Sequence, residues 1–354
     1  MGLVRTLLAI SVVFTHSYGF LLVGGQYAVQ IFYMISGYLI SFVLIESRNY
    51  KSVWKFYLNR ALRLFPVYWL VLAVSLLAIG FASAVLGQEH QLLSTYESAP
   101  FWLRAWLTLS NVFVVGQDLL MFSAVRNDEL VLLTDFRASD YPLWQGLAVP
   151  QAWTIGVELT FYAIAPFILH RQRWLCALLF FSLLLRIFFI GWGFGTQDPW
   201  SYRFFPTELA LFLLGALSHQ LWAPVVTRTV TLKNASEIAT LMLAVFICSF
   251  WILPQNFLVT SILFLSTLFC LPLLFLFQER YEWDRRIGEL SYPVYITHML
   301  VIWVFGYALK LMGIDYKSFT GALIIVILTV LVSALVNWTV SRYIERVRRQ
   351  IKAS

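Results

Sequence analysis

The chain has 354 residues, of which 60% are hydrophobic, 17% aromatic and 12% charged, with a formal net charge of +7. A soluble domain carries roughly a quarter charged residues and about half apolar ones, so this composition belongs to the membrane class and excludes disordered, collagen-like, coiled-coil and disulfide-scaffold chains. Uncharged stretches such as Val67 to Gly87 and Phe257 to Phe277 leave no room for a dinucleotide fold with its alternating strands and polar crossovers.

A membrane helix needs about 20 mostly apolar residues to cross about 30 Å of hydrocarbon. That rule divides the chain into about ten expected spans, near 2–20, 27–46, 65–87, 153–169, 174–193, 203–221, 237–253, 257–277, 291–312 and 319–342. The expected fold class is therefore all-α, a polytopic integral membrane protein. The first span starts with Arg5 and an apolar run to Phe14 like a signal peptide. No small-x-small cleavage site follows and His16 interrupts the run, so it is expected to be retained. Turn-like or charged separators divide the spans, among them Gly24-Gly25, Glu46 to Asn49, His170 to Arg173, Pro254 to Asn256 and Glu279 to Glu289. Residues 88–152 form the one sizeable external segment, and its apolar stretch from Phe101 to Phe122 is expected to be an interfacial or re-entrant helix at the outer mouth.

Orientation follows from Lys and Arg in short loops, because cationic loops stay in the cytoplasm. Of the 25 Lys and Arg residues, 18 fall in one set of connections, including Arg48, Lys51, Arg60, Arg63, Arg171, Lys233, Arg280 and Arg348. Arg104, Arg126, Arg137, Arg203, Lys310 and Lys317 fall in the other, and Arg186 lies within a span. Both termini are expected in the cytoplasm. The basic balance then reads as topology facing a lipid bilayer, with no nucleic acid implied. Cys176, Cys248 and Cys270 all lie in apolar runs, and no His and carboxylate cluster has metal-ligand spacing, so neither a disulfide framework nor a metal is expected.

Ionisable side chains inside spans cost several kcal/mol on insertion scales and are functional candidates. His16 lies about four residues, roughly 6 Å, beneath the outer boundary of the first span, and Glu158 about five residues, roughly 8 Å, beneath the same boundary. A His and a carboxylate at one depth suit general base catalysis, since the carboxylate orients the imidazole and stabilises its cation. The plain alternative is a buried His on a carbonyl with Glu158 paired to an Arg. Arg203 and Glu208 bracket the outer start of the sixth span, for structural pairing or for substrate hydroxyls. His298, roughly 10 Å in from the cytoplasmic side, reads as a packing or channel-lining group. His90, His170 and His219 sit in loops or at helix ends, where ordinary solvation is expected. Arg60 and Arg63 share one helix face just before Pro66 opens the next span, a fork of guanidinium groups suited to phosphate or to lipid headgroups.

In chain order these features resemble the acyltransferase 3 family of polytopic membrane acyltransferases, which includes enzymes that O-acetylate bacterial surface polysaccharides. Arg5-x10-His16, with Ala9 and Val13 between, is similar to that family's first helix. The run Gln26 to Ile40, with Ser36-Gly37-Tyr38, is similar to its second. Arg60-x-x-Arg63-x-x-Pro66-x-Tyr68 resembles its Arg-x-x-Arg-x-x-Pro-x-Tyr block. Trp153-Thr154-x-x-x-Glu158-x-x-Phe161-Tyr162 resembles its Trp-Ser/Thr-x-x-x-Glu-x-x-Phe-Tyr block. Phe205 to Leu209 with Gly215, and Ser291-Tyr292-Pro293-Val294-Tyr295-Ile296-Thr297-His298, complete six ordered blocks. Gly2 stands where the family often has Asp, and Ala28 and Gln30 replace a common Gly and Asp.

The resemblance implies a single transmembrane acyltransferase domain over 1–354, without the fused periplasmic domain of some relatives, in the bacterial inner membrane. It implies transfer of an acyl group, acetyl first of all, from cytoplasmic acetyl-CoA to a hydroxyl of a cell-surface glycan such as O-antigen. His16 and Glu158 would be catalytic, Arg60 and Arg63 would hold the CoA phosphates, and Ser36-Gly37 would let the pantetheine arm pass. Arg5, Tyr162, Arg203, Glu208, Tyr292 and His298 would support the site. His16 would act as general base or carry the acyl group itself. A secondary transporter would also hold intramembrane His and Glu, but paired broken helices in repeated halves are not seen. An acyltransferase for lipid or protein would share the catalytic His and not these six blocks.

Overall fold

The computed structural model describes residues 1–46, 52–126, 129–135, 142–229 and 234–353. Arg48, Lys51, Arg137 and Lys233, four of the loop cations, lie outside the described residues. The described chain is helical nearly throughout. In order come α1 (Gly2–Ser17), α2 (Gly24–Ser41), α3 (Val53–Leu86), α4 (Gln91–Ser98), α5 (Phe101–Phe113), α6 (Gln117–Leu120), the strands β1 (Ser123–Arg126) and β2 (Glu129–Leu132), α7 (Trp153–Ile168) and α8 (Gln172–Gly191). Then follow α9 (Phe205–Leu217), α10 (Ala223–Thr229), α11 (Ala235–Ser249), α12 (Phe257–Arg280), α13 (Glu282–Leu311), α14 (Phe319–Val336) and α15 (Arg342–Ala353). Short π-helical turns, Phe42–Glu46, Ser218–Trp222 and Asn337–Ser341, extend α2, α9 and α14.

Among the described residues eight helical stretches are long and apolar enough to cross a membrane, and they fall on eight of the ten expected spans. The other two are α1 and α7, of 16 residues each. Large apolar side chains such as Leu77, Phe81, Phe181 and Leu331 point outward, so the medium that matches these surfaces is lipid.

Three local expectations are corrected. The helix bearing Arg60 and Arg63 does not end at Pro66 but runs through it as the 34-residue α3; proline is tolerated inside membrane helices because neighbouring groups re-satisfy the freed carbonyl. The charged separator 279–289 is mostly helix. Only Tyr281 divides α12 from α13, and Glu282 is braced by Arg286 at 2.7 Å, an i,i+4 pair. The single helix expected over 101–122 is broken by left-handed backbone at Val114 (φ 66°) and Gly116 (φ 78°), after which β1 and β2 pair antiparallel, Ser123 opposite Leu132.

The described chain divides into two compact units, one of residues 1–63, 165–175 and 211–354, the other of 64–164 and 176–210. In the first, α1 packs parallel to α13. The Asp284 carboxylate accepts the N–H of Gly2 and of Leu3, both at 2.7 Å, and so caps α1 from outside its own sequence. Thr6 donates its hydroxyl to the Ile287 carbonyl at 2.9 Å. A side chain at Gly288 would lie 2.7 Å from the Gly2 Cα. Gly2, a departure from the usual motif, is thus the residue that lets the helices touch. Beyond it Ala9, Val13 and Phe14 of α1 join Val294 and Ile302 of α13 and Ile325 of α14 in one apolar cluster. A second glycine pair joins α2 to α9, where a Cβ on Gly37 would lie 1.9 Å from the Phe212 carbonyl oxygen and one on Gly215 1.9 Å from that of Met34.

In the second unit the part of α3 that follows Leu64 is tied to α5. Tyr68 donates its hydroxyl to the Asn111 carbonyl, and Trp69 its indole N–H to that of Val112 at 2.8 Å. Asn111 in turn donates its side-chain amide to the Gly146 carbonyl at 2.9 Å and accepts the Ala148 N–H at 2.9 Å, pinning the loop that leads into α7.

Gly37→Ala is expected to cost about 1–3 kcal/mol or more, because α2 and α9 must separate. Gly80→Ala on exposed α3, where nothing lies within 4 Å, should fall within about 1 kcal/mol on the stabilising side. Melting midpoints by tryptophan fluorescence in one detergent compare the two.

Candidate active site

In the first unit the parallel packing of α1 on α13 brings two histidines together. His16, next to last in α1, is exposed; His298 of α13 is fully buried, and their ring centroids are 5.1 Å apart at a tilt of 35°. Depth counting from 291 set these residues at different levels. The helix begins at Glu282, so His298 lies about 24 Å along it and level with the end of α1. His298 Nδ1 lies 2.5 Å from the Tyr295 carbonyl oxygen. A carbonyl only accepts, so Nδ1 carries the hydrogen and, in the neutral ring, Nε2 is a lone pair. That Nε2 is buried and has no hydrogen-bond partner among the described residues. The Tyr295 ring, at 5.7 Å from His298, rests against Phe32 of α2. Tyr292 and Arg5 are half-buried on α13 and α1.

The Arg60 and Arg63 pair sits on the first turns of α3. Arg60 is 4% exposed and Arg63 half-buried. The Arg60 guanidinium donates to the Asn59 side-chain oxygen at 3.4 Å, and the same oxygen accepts from Arg348 of α15 at 3.1 Å. Glu345 pairs with Arg348 at 2.5 Å. A third arginine, far along the chain, therefore joins Arg60 at Asn59. Ser36 is half-buried, and Gly37 has its bare face filled by the α9 backbone.

His219 is corrected from a solvated residue to a buried one. Its Nδ1 meets the Ser41 hydroxyl at 3.0 Å and its Nε2 the Glu46 carboxylate at 3.0 Å, while Gln220 donates to Ser41 at 3.2 Å. Glu46 and His219 lie in two π-helical turns, whose wider backbone rotates side chains off the regular helical stripe on which sequence spacing relies.

In the second unit Glu158 of α7 accepts the hydroxyl of Tyr162, one turn on. Arg203 forms a two-point ion pair with Asp198, at 2.5 and 2.9 Å, and its guanidinium lies 4.3 Å from the centroid of the Trp153 ring that opens α7. Glu208, fully buried, pairs with Arg186 of α8 at 2.5 Å. Arg203 and Glu208 thus each hold a partner of their own. His16 belongs to the first unit and Glu158 to the second.

Residues 1–338 match the sequence model of the acyltransferase 3 family, described as "Acyltransferase domain". The chain belongs to this family. It is 23% identical over 235 residues to an uncharacterized protein of Aquifex aeolicus (strain VF5), covering 63% of this chain and 95% of that one. It is 24% identical over 336 residues to a Staphylococcus aureus (strain COL) protein named "Putative O-acetyltransferase", and the Mu50 strain has a relative of the same name and identity. The match covers 84% of this chain and 49% of those relatives, so the chain spans about half their length. No solved structure matches.

Within this acyltransferase, sequence reasoning missed Arg186, Arg348 and the Ser41, His219 and Glu46 chain, because each depends on a partner on another helix. It missed Asp198 although Arg203 is only five residues on, because the turn that joins them carries no periodic signal. Asp118 could have been found as an acid in an apolar stretch. It is buried, and a Cβ on Gly156, two residues before Glu158, would lie 3.2 Å from its Oδ1. Burial raises its carboxyl from the ordinary aspartate value of 3.8 to about 6, against two backbone hydrogen bonds that favour the charged form. A raised folded value means the acid is favoured neutral, so stability present below 3.8 is lost as pH rises towards about 6. Asp118→Asn should therefore be more stable than the wild type at pH 7.5, by roughly 3 kcal/mol at most, and no more stable below pH 4. Melting midpoints across pH check this.

Proposed function

We propose that this acyltransferase moves an acyl group, acetyl first of all, from acetyl-CoA on the cytoplasmic side to a hydroxyl of a cell-surface glycan, as a multi-pass protein of the bacterial inner membrane. The observation that carries the reading is His16. It is an exposed imidazole at the end of a mostly apolar helix, backed by a second histidine, in a chain of this family.

His16 takes the proton of the acceptor hydroxyl as its oxygen attacks the thioester carbonyl. When the carbon–sulfur bond breaks, the imidazolium returns that proton to the CoA thiolate, so hydroxyl and thioester become ester and thiol. The same imidazole can instead attack the thioester carbonyl and expel the CoA thiolate, forming a transient acyl-histidine. The acceptor oxygen then takes the acyl group from the ring, its proton passing to the thiolate or to the freed imidazole, so the products are again ester and thiol. Glu158 is the second catalytic group of the proposal. Its place in an apolar helix is costly unless used, and Tyr162 holds its carboxylate in one orientation. Arg60 and Arg63, with Arg348 sharing Asn59, supply guanidinium groups for the CoA phosphates. Arg203, clamped between Asp198 and Trp153, supports α7 from its first turn. The acceptor class is inferred from the family resemblance and the membrane setting.

Protein in nanodiscs with radiolabelled acetyl-CoA and cell-envelope glycan tests the proposal. His16→Ala should lower CoA release by roughly 100-fold or more with folding retained. Label retained on wild-type protein, and absent from His16→Ala, would establish the acyl-histidine route. Undiminished release by His16→Ala would overturn the assignment. Arg348→Ala and the Arg60→Ala/Arg63→Ala double variant should raise KM for acetyl-CoA roughly 10-fold or more while kcat changes little, and an unchanged KM in both removes the phosphate clamp.

A further inference from the structure

The burial of His298 asks for an explanation that packing does not supply. The residue is fully buried, one helical turn from Val294 and Ile302, in a neighbourhood that includes Val13 and Phe14 of α1. A buried imidazole nitrogen without a partner costs about 1–3 kcal/mol, so a side chain needed only to fill this space would be Leu or Met.

The geometry determines which nitrogen is available. Nδ1–H is committed to the Tyr295 carbonyl, which leaves Nε2 as an acceptor lone pair, buried and without a partner among the described residues. The ring of His16 lies 5.1 Å away between centroids. Two imidazoles joined by an N–H···N bond of about 2.9 Å have centroids roughly 5.2 Å apart. The separation is therefore already that of a bonded pair, and the 35° tilt leaves a rotation of the exposed His16 ring to align it.

We propose that His298 is a positioning residue for His16: its buried Nε2 accepts the N–H of the His16 ring and thereby fixes the tautomer in which the other His16 nitrogen faces the substrate as the base. The proposal rests on the reading of His16 as the group that takes the hydroxyl proton. A neutral imidazole here does the work that a carboxylate or carbonyl does behind other catalytic histidines, orienting the ring and stabilising the imidazolium while it holds the proton. It adds no negative charge to an apolar helix, where an acid would cost several kcal/mol more. The Tyr295 carbonyl sets the His298 tautomer, and His298 sets that of His16, so the orientation is handed from backbone to base through one buried ring.

The test uses the full chain in nanodiscs and compares wild type with His298→Gln, which keeps an acceptor near the Nε2 position, and His298→Met, which fills the space without one. Acetyl-CoA turnover is measured beside a readout that needs no acceptor, the rate at which diethyl pyrocarbonate modifies His16, followed by peptide mass spectrometry. His298→Met should lower kcat roughly 10- to 100-fold and slow modification of His16 several-fold, with KM for acetyl-CoA within about two-fold of wild type. His298→Gln should recover most of both losses. An unchanged His16 modification rate in His298→Met, or equal losses in the Met and Gln variants, would overturn the proposal. If His298→Met does not fold, His298→Asn takes its place, because its amide reaches the Nδ1 position and leaves that of Nε2 empty. Wild-type protein that releases no CoA would count against acyl transfer alone, since the modification rates still decide whether His298 acts on His16.

Discussion

The arrangement of the candidate site depends on how closely α1 can lie along α13. Two glycines, Gly2 and Gly288, remove the side chains that would hold the helices apart, and Asp284 ties the first N–H groups of α1 to its neighbour. The result is a parallel pair locked in register at its start, so that residues far along each helix arrive level. His16 and His298 meet because of that register, and the apolar cluster of Ala9, Val13, Val294 and Ile302 keeps it from slipping. In lipid the apolar faces gain little from mutual burial, so small residues and buried polar contacts carry more of the task of fixing position. The Gly37 and Gly215 pair between α2 and α9 is the same device used again.

The remaining polar groups in the apolar helices follow one rule. An ionisable side chain is costly in a membrane unless it is paired, and most of those present have a partner at hydrogen-bond distance: Glu208 with Arg186, Glu158 with Tyr162, His219 with Ser41 and Glu46. His298 departs from this rule at a single atom, and that atom lies beside the ring assigned to the chemistry. Arg203 obeys it near the start of α7, where Asp198 neutralises it and Trp153 covers it. Such pairing organises the helices that carry the motifs, while His16 stays exposed.

Much of this was legible in one dimension. Hydropathy located every long apolar helix, since a span must satisfy its own backbone and needs a minimum length of apolar residues. The boundaries were less legible. Pro66 reads as a helix start and the charges at 279–289 as a loop, but proline is tolerated in lipid and charges at helix ends pair along the helix. That error had a consequence, because starting α13 at 291 instead of 282 set His298 at the wrong depth and hid its relation to His16.

By itself the sequence determined the membrane class, the approximate spans, the lopsided distribution of loop cations and the identity of the family's motif residues. These follow from composition, length and local order, which need no knowledge of neighbours. Only the tertiary structure decided which residue stands beside which: His298 by His16, Arg348 by Arg60 across Asn59, Asp198 by Arg203, Arg186 by Glu208. The first two depend on the register between helices far apart in the chain, whereas Arg186 and Glu208 lie on successive helices and Asp198 is five residues from Arg203. For His16 and His298 that register is set by glycine contacts and a cap which leave no periodic signal in sequence.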